Sequence, residues 1–252
     1  MRWFPAIAFA PDYVTLYLTE TLGTFFFVFG ESLLVEATGK MENETLELNR
    51  ILVIALGGGF IYYALLYLTM TFTEGHGCYL NPALTSSLIA IDLFLQVPVE
   101  NEIVAGLVCI ILQFCGGALG SLAARNCFPN PDFGAEKMGI SQPNLGSSVG
   151  QMWTIELILS LVFALVVMSV RSNENRRSSF LIAFGYVASR LVAFPLTFST
   201  LNPARSFAPV VSSGFTDGTQ DIWVDLTAPI VGSALAAIVF YFLNHDTLRK
   251  NE

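Results

Sequence analysis

Charge is what this sequence has least of. Asp, Glu, Lys and Arg make up 13% of its 252 residues, against about 25% in ordinary soluble domains. Its twelve bases gather into no stripe that would hold a phosphate backbone, so nucleic acid is not expected as a partner. Imidazoles and thiols are scarce as well. There are two histidines, His76 and His245, and four cysteines, Cys78, Cys109, Cys115 and Cys127, with no CxxC spacing. That disfavours a structural zinc site and a disulfide framework. No paired nucleophile and base and no phosphate-cradling loop is present, so neither an enzyme nor a cofactor or metal site is expected.

Apolar surface takes the place of charge. Hydrophobic residues are 54% of the chain and the mean hydropathy is +0.61, a composition whose natural solvent is the bilayer. The net charge of −8 collects in segments read as connections, where Glu36, Glu42, Glu44 and Glu47 cluster and where Asp217 and Asp221 fall. A spanning helix needs about twenty mostly apolar residues. Six segments qualify: 13–35, 51–73, 102–124, 150–170, 179–199 and 222–243. The first is too long, and wrongly flanked, for a cleaved signal peptide and is expected to stay in the membrane.

Two further apolar stretches, 82–92 and 203–212, are too short to cross. Each opens with Asn-Pro and follows a spanning segment with little polar linker. Irregular backbone at membrane depth is tolerated only where protein buries it or where it lines a cavity, and short interrupted segments in matching halves point to a transport site. The halves do match: 13–124 and 150–243 each read helix, helix, half-helix, helix, with Glu20 and Glu156 early in their first helices. Three spans per half invert the second repeat. The expected fold is an all-α polytopic membrane protein over 1–252, one channel domain with six transmembrane helices and two re-entrant half-helices.

Basic residues set the orientation. Arg2, Arg171, Arg176, Arg177, Arg249 and Lys250 fall on one side, and four bases fall in the opposite loops. Both termini are therefore expected to be cytoplasmic, in the plasma membrane or an intracellular one. The single sequon, at Asn43, then lies outside, where a glycan can be added.

The chemistry sits in Leu80-Asn81-Pro82-Ala83 and Leu201-Asn202-Pro203-Ala204. With Pro at about 5% of residues, one Asn-Pro-Ala box arises by chance at about one position in several thousand. Two at matching places in a repeat are far rarer. Asparagine is a strong N-cap, and proline suits the first helical position, where no N–H is needed. Each box thus starts a short helix whose N-terminus carries about half a positive charge. Inversion brings those ends together near the midplane, where they repel cations and protons. The amides of Asn81 and Asn202 can there donate to a passing oxygen.

With these boxes the chain resembles the aquaporin (major intrinsic protein) family over nearly its whole length. Glu20-Thr21-Leu22-Gly23-Thr24-Phe25, Gln113-Phe114-Cys115-Gly116-Gly117, Asn202 to Pro209, and Ala228-Pro229-Ile230-Val231-Gly232 are similar to its other motifs. The resemblance implies a right-handed bundle, a homotetramer with one pore per subunit, and passage of water or a small neutral solute. It puts Arg205 in a narrow filter, with a structural ion pair to Glu20 or Glu156 as the alternative. It gives those two glutamates the task of accepting hydrogen bonds from the half-helix loops.

Other filter positions depart from the family pattern. Arg190 stands where water-selective members carry His; it faces the pore, turns to the surface or pairs with an acid. The aromatic position of the second helix falls on Ile61, or on Phe60 if the register slips by one. Ser199 and Thr200 occupy sites that are usually small. Cys78, close before the first box, is either a buried hydrophobe or a site for mercurial block. Ser206 after Arg205 favours water, whereas Asp225 and Leu226 replace an aromatic pair and allow a wider pore for glycerol or urea. An ion-coupled transporter would want acids at the midplane. A structural, adhesive tetramer with little conduction is the further alternative.

Overall fold

The computed structural model describes residues 13–39, 44–73, 77–94, 100–127, 146–172, 178–198, 200–215 and 219–249. The regular elements among them are all helices: α1 (Tyr13–Gly39), α2 (Glu44–Phe72), α3 (Pro82–Phe94), α4 (Glu100–Asn126), α5 (Val149–Arg171), α6 (Ser179–Thr197), α7 (Pro203–Ser213) and α8 (Ile222–Arg249). Six of them, α1, α2, α4, α5, α6 and α8, are long and apolar enough to cross a membrane. The other two, α3 with 13 residues and α7 with 11, reach only about 20 Å at 1.5 Å per residue, well short of a hydrocarbon core of about 30 Å.

The packing follows the repeat. In the first half α1 lies on α4, and in the second α5 lies on α8; each half-helix rests mainly on the last spanning helix of the other half, α3 on α8 and α7 on α4. Such an exchange is what inverted two-fold symmetry produces. Small residues permit the closest of these contacts. A Cβ at Gly116 or Gly120 would stand 2.3 Å from a carbonyl oxygen of α1, and one at Gly232 would stand 2.2 Å from the carbonyl oxygen of Leu157. These glycines are therefore spent within the chain, where helix backbones touch.

The outer surface is apolar in stripes. Leu18, Leu22 and Phe26 on α1, and Leu56, Phe60, Tyr63 and Tyr67 on α2, recur every three or four residues and are exposed, as a face turned to lipid requires. This corrects one filter assignment: Phe60 is 67% exposed on that stripe, while its neighbour Ile61 is half-buried against the central cluster. Glu36 is a second correction. It lies inside α1 and is buried, not in a connecting loop.

Candidate pore and filter

The half-helices meet head to head. Asn81 Oδ1 accepts from the amide of Ala83 at 2.9 Å, and Asn202 Oδ1 from those of Ala204 at 3.1 Å and Arg205 at 3.4 Å. Each asparagine so caps the helix it begins. Each side-chain amide then crosses to the other box. Asn81 Nδ2 donates to the Leu201 carbonyl at 2.9 Å, and Asn202 Nδ2 donates to the Leu80 carbonyl at 2.7 Å. The two leucines match in backbone as well, with φ of 54° and 53°. A residue with a Cβ stays in that left-handed region only when its surroundings hold it there. An amide carries two N–H groups, so one on each asparagine is left for another acceptor.

Buried carboxylates anchor the loops. Glu20 accepts from the amides of Tyr79 at 2.9 Å and Leu80 at 3.0 Å, and from Gln113 Nε2 at 2.9 Å. Gln113 also reaches the hydroxyl of Thr85 at 2.9 Å, tying α4 to α3. Glu156, the counterpart of Glu20, accepts from the hydroxyl of Thr197 at 3.2 Å, at the end of α6. Farther along the first loop, the hydroxyl of Thr69 accepts from the amide of Cys78 at 3.1 Å, and Arg171 Nη2 donates to the Cys78 carbonyl at 3.3 Å. Cys78 itself has no exposed surface and packs in the central cluster. A mercurial has no access to its thiol in this conformation.

Both arginines of the expected filter are buried, Arg190 at 0% and Arg205 at 1% exposure. Arg190 does not turn to the surface: its Nη1 donates to Glu31 Oε2 at 2.8 Å and to the hydroxyl of Tyr186. Arg205 Nε donates to the same carboxylate oxygen at 3.3 Å. The acid paired with Arg205 is thus Glu31, from α1, and not Glu20 or Glu156. Glu31 Oε1 accepts from Tyr186 at 3.3 Å, and the Arg190 guanidinium lies over the rings of Tyr186 and Phe194 at 5.3 and 5.5 Å. Gly58 leaves the room for the carboxylate, since a Cβ there would fall 1.8 Å from Glu31 Oε1. Ile61 packs on Gly30. The Thr200 hydroxyl is buried and paired with that of Ser206. Ser199 and Asn43 lie outside the described residues.

Beside this cluster four aromatic rings converge. Phe27 on α1 and Phe163 on α5 each pack on both Tyr62 of α2 and Tyr186 of α6, and the two tyrosines on each other, with centroids 5.1–6.4 Å apart. Phe27 and Phe163 each follow their repeat's glutamate by seven residues (27 − 20 and 163 − 156), so the repeat extends to the rings. Tyr62 donates to the carbonyl of Tyr79 at 2.8 Å, joining the cluster to the loop of the first box. None of the four exposes more than 2% of its surface, so no water-filled passage reaches them in this conformation. Sequence reasoning missed these rings and Glu31. For Glu31 a signal existed: an acid inside the apolar run from Phe25 to Val35 is functional by default. Among the described residues no cluster of His, Cys, Asp or Glu is placed to hold a metal ion.

Comparison with known proteins gives these features a setting. Residues 10–240 match the family model described as Major intrinsic protein. The chain is 30% identical over 228 residues to glycerol uptake facilitator protein-like 6 of Lactiplantibacillus plantarum, covering 88% of this chain and 94% of that one. It is 28% identical over 241 residues to aquaporin Z of Rhodopseudomonas palustris, covering 91% and 93%. Among solved structures, the aquaglyceroporin from Plasmodium falciparum superposes with a TM-score of 0.73 at 22% identity, over 91% of this chain and 96% of that one. At that identity the superposition speaks for the fold.

Proposed function

The chain belongs to the major intrinsic protein family, and from that membership we propose that it is a passive channel carrying water down an osmotic gradient while excluding protons and ions. The observation that carries this reading is the reciprocal contact of the two boxes, Asn81 to Leu201 and Asn202 to Leu80. It places two helix N-termini, each worth about half a positive charge, against one another. Each asparagine keeps one N–H for a passing oxygen. A water held by both donors turns its hydrogens outward, and the chain of hydrogen bonds that would relay a proton is broken there. Arg205 then lines the filter as a second barrier to cations.

Water is preferred to larger solutes because two guanidiniums and a carboxylate crowd one buried site, and because Ser206 follows Arg205 as in the water-conducting members that the sequence resembles. Glycerol or urea is the second reading, supported by the similarity to a glycerol uptake facilitator. The closed ring cluster supports a third, a tetramer that joins membranes and conducts little. We place both termini in the cytoplasm and one pore in each subunit of a homotetramer. The test is vesicle swelling in an inward glycerol gradient, set beside shrinkage in an impermeant osmolyte. Shrinkage faster than empty vesicles with no glycerol swelling supports the water channel. Swelling at comparable speed moves the protein to the glycerol-permeable class, and neither response would leave the structural reading.

A further inference from the structure

We propose that Glu31 sets the charge of the filter: its carboxylate offsets the second arginine, Arg190, and so keeps the pore selective for neutral solutes over small anions. The proposal rests on the channel reading above. One arginine beside a pore repels cations and donates to a solute oxygen. A second, uncompensated, would add to the positive ends of α3 and α7 and draw anions in. Glu31 Oε2 lies within hydrogen-bond reach of both Arg190 Nη1 and Arg205 Nε, at 2.8 and 3.3 Å. It therefore acts on both at once.

Three further observations fit a built site better than a chance pairing. Position 58 is glycine, and any Cβ there would collide with the carboxylate. Tyr186 occupies the other carboxylate oxygen, at 3.3 Å. Arg190 keeps Nε and one terminal nitrogen buried without a hydrogen-bond partner. Glu31 thus offsets the charge of Arg190 without engaging all of its donors. Another acid, Asp225, is buried at the start of α8. Glu31 is the acid that bonds to both arginines.

The test uses the full chain in proteoliposomes as wild type, Glu31→Gln, Arg190→Gln and the double variant. Nitrate entry is read from quenching of a trapped dye, and water flow from shrinkage. Glu31→Gln should raise nitrate flux about tenfold or more, given the strength of one uncompensated charge at this range. Arg190→Gln should not raise it, and the double variant should return to the wild-type level. Nitrate flux in Glu31→Gln indistinguishable from wild type, or a double variant as leaky as Glu31→Gln, overturns the proposal. Removing one member of a buried pair can prevent folding, so melting in detergent gives a second readout. The double variant should melt above Glu31→Gln; if it melts as low or lower, the pairing has no such role. Absence of water flow in the wild type sinks the channel reading alone, and the melting order of Glu31→Gln and the double variant still decides the case for Glu31.

Discussion

Glu20 shows how much one buried side chain can hold. It accepts three hydrogen bonds, two of them from the amides of Tyr79 and of the strained Leu80 itself, where no water can substitute. Replacing it with Gln leaves one acceptor oxygen and turns an N–H toward a donor. Glu20→Gln should cost about 1–3 kcal/mol, the penalty for an unsatisfied buried group, seen as a lower melting temperature with the helix content kept. The two boxes, Glu20 and Arg205 were legible because their meaning is local: a cap, a helix start, a charge where lipid should be. Glu31 was not. Its partners are 159 and 174 positions away, and nothing in one sequence says which buried acid meets which arginine. The alternative between Ile61 and Phe60 stayed open in the sequence for another reason. Neighbours on a helix point about 100° apart, so an uncertainty of one residue exchanges lipid for interior.

At the scale of elements, the runs that read as spans are spans, because length and hydropathy are summed over some twenty residues and single errors average out. The ends were less legible. α1 runs on through Glu36 to Gly39, and an acid that reads as loop in sequence is buried within a helix. Glycine roles were half legible. Small residues announce close approach, but only the fold says that Gly116 and Gly120 face α1. Gly120→Ala puts a methyl 2.3 Å from the Phe25 carbonyl oxygen, where backbone cannot give way, and should destabilise by about 1–3 kcal/mol. Gly150→Ala is the contrast: it lies in the first turn of α5 with nothing within 4 Å, and should be neutral or stabilise by up to about 1 kcal/mol. Melting of the two variants side by side checks both.

At the scale of the whole molecule, the repeat could be seen in the sequence because its markers recur: the glutamates, the boxes and the order of long and short helices. What could not be seen is how far the symmetry reaches inward. Phe27 and Phe163 hold matching places in the two repeats and, through Tyr62 and Tyr186, belong to one buried ring cluster. Aromatic residues in an apolar span carry no signal that sets a buried ring apart from a lipid-facing one. The most direct measurement is stopped-flow shrinkage of vesicles holding the pure protein, with a pH-sensitive dye inside to follow protons in the same preparation. A pore centred on the two boxes predicts fast water flow, an activation barrier close to that of diffusion in bulk water, and proton entry no faster than in empty vesicles. Water flow at the empty-vesicle rate, or protons moving along with the water, would contradict it.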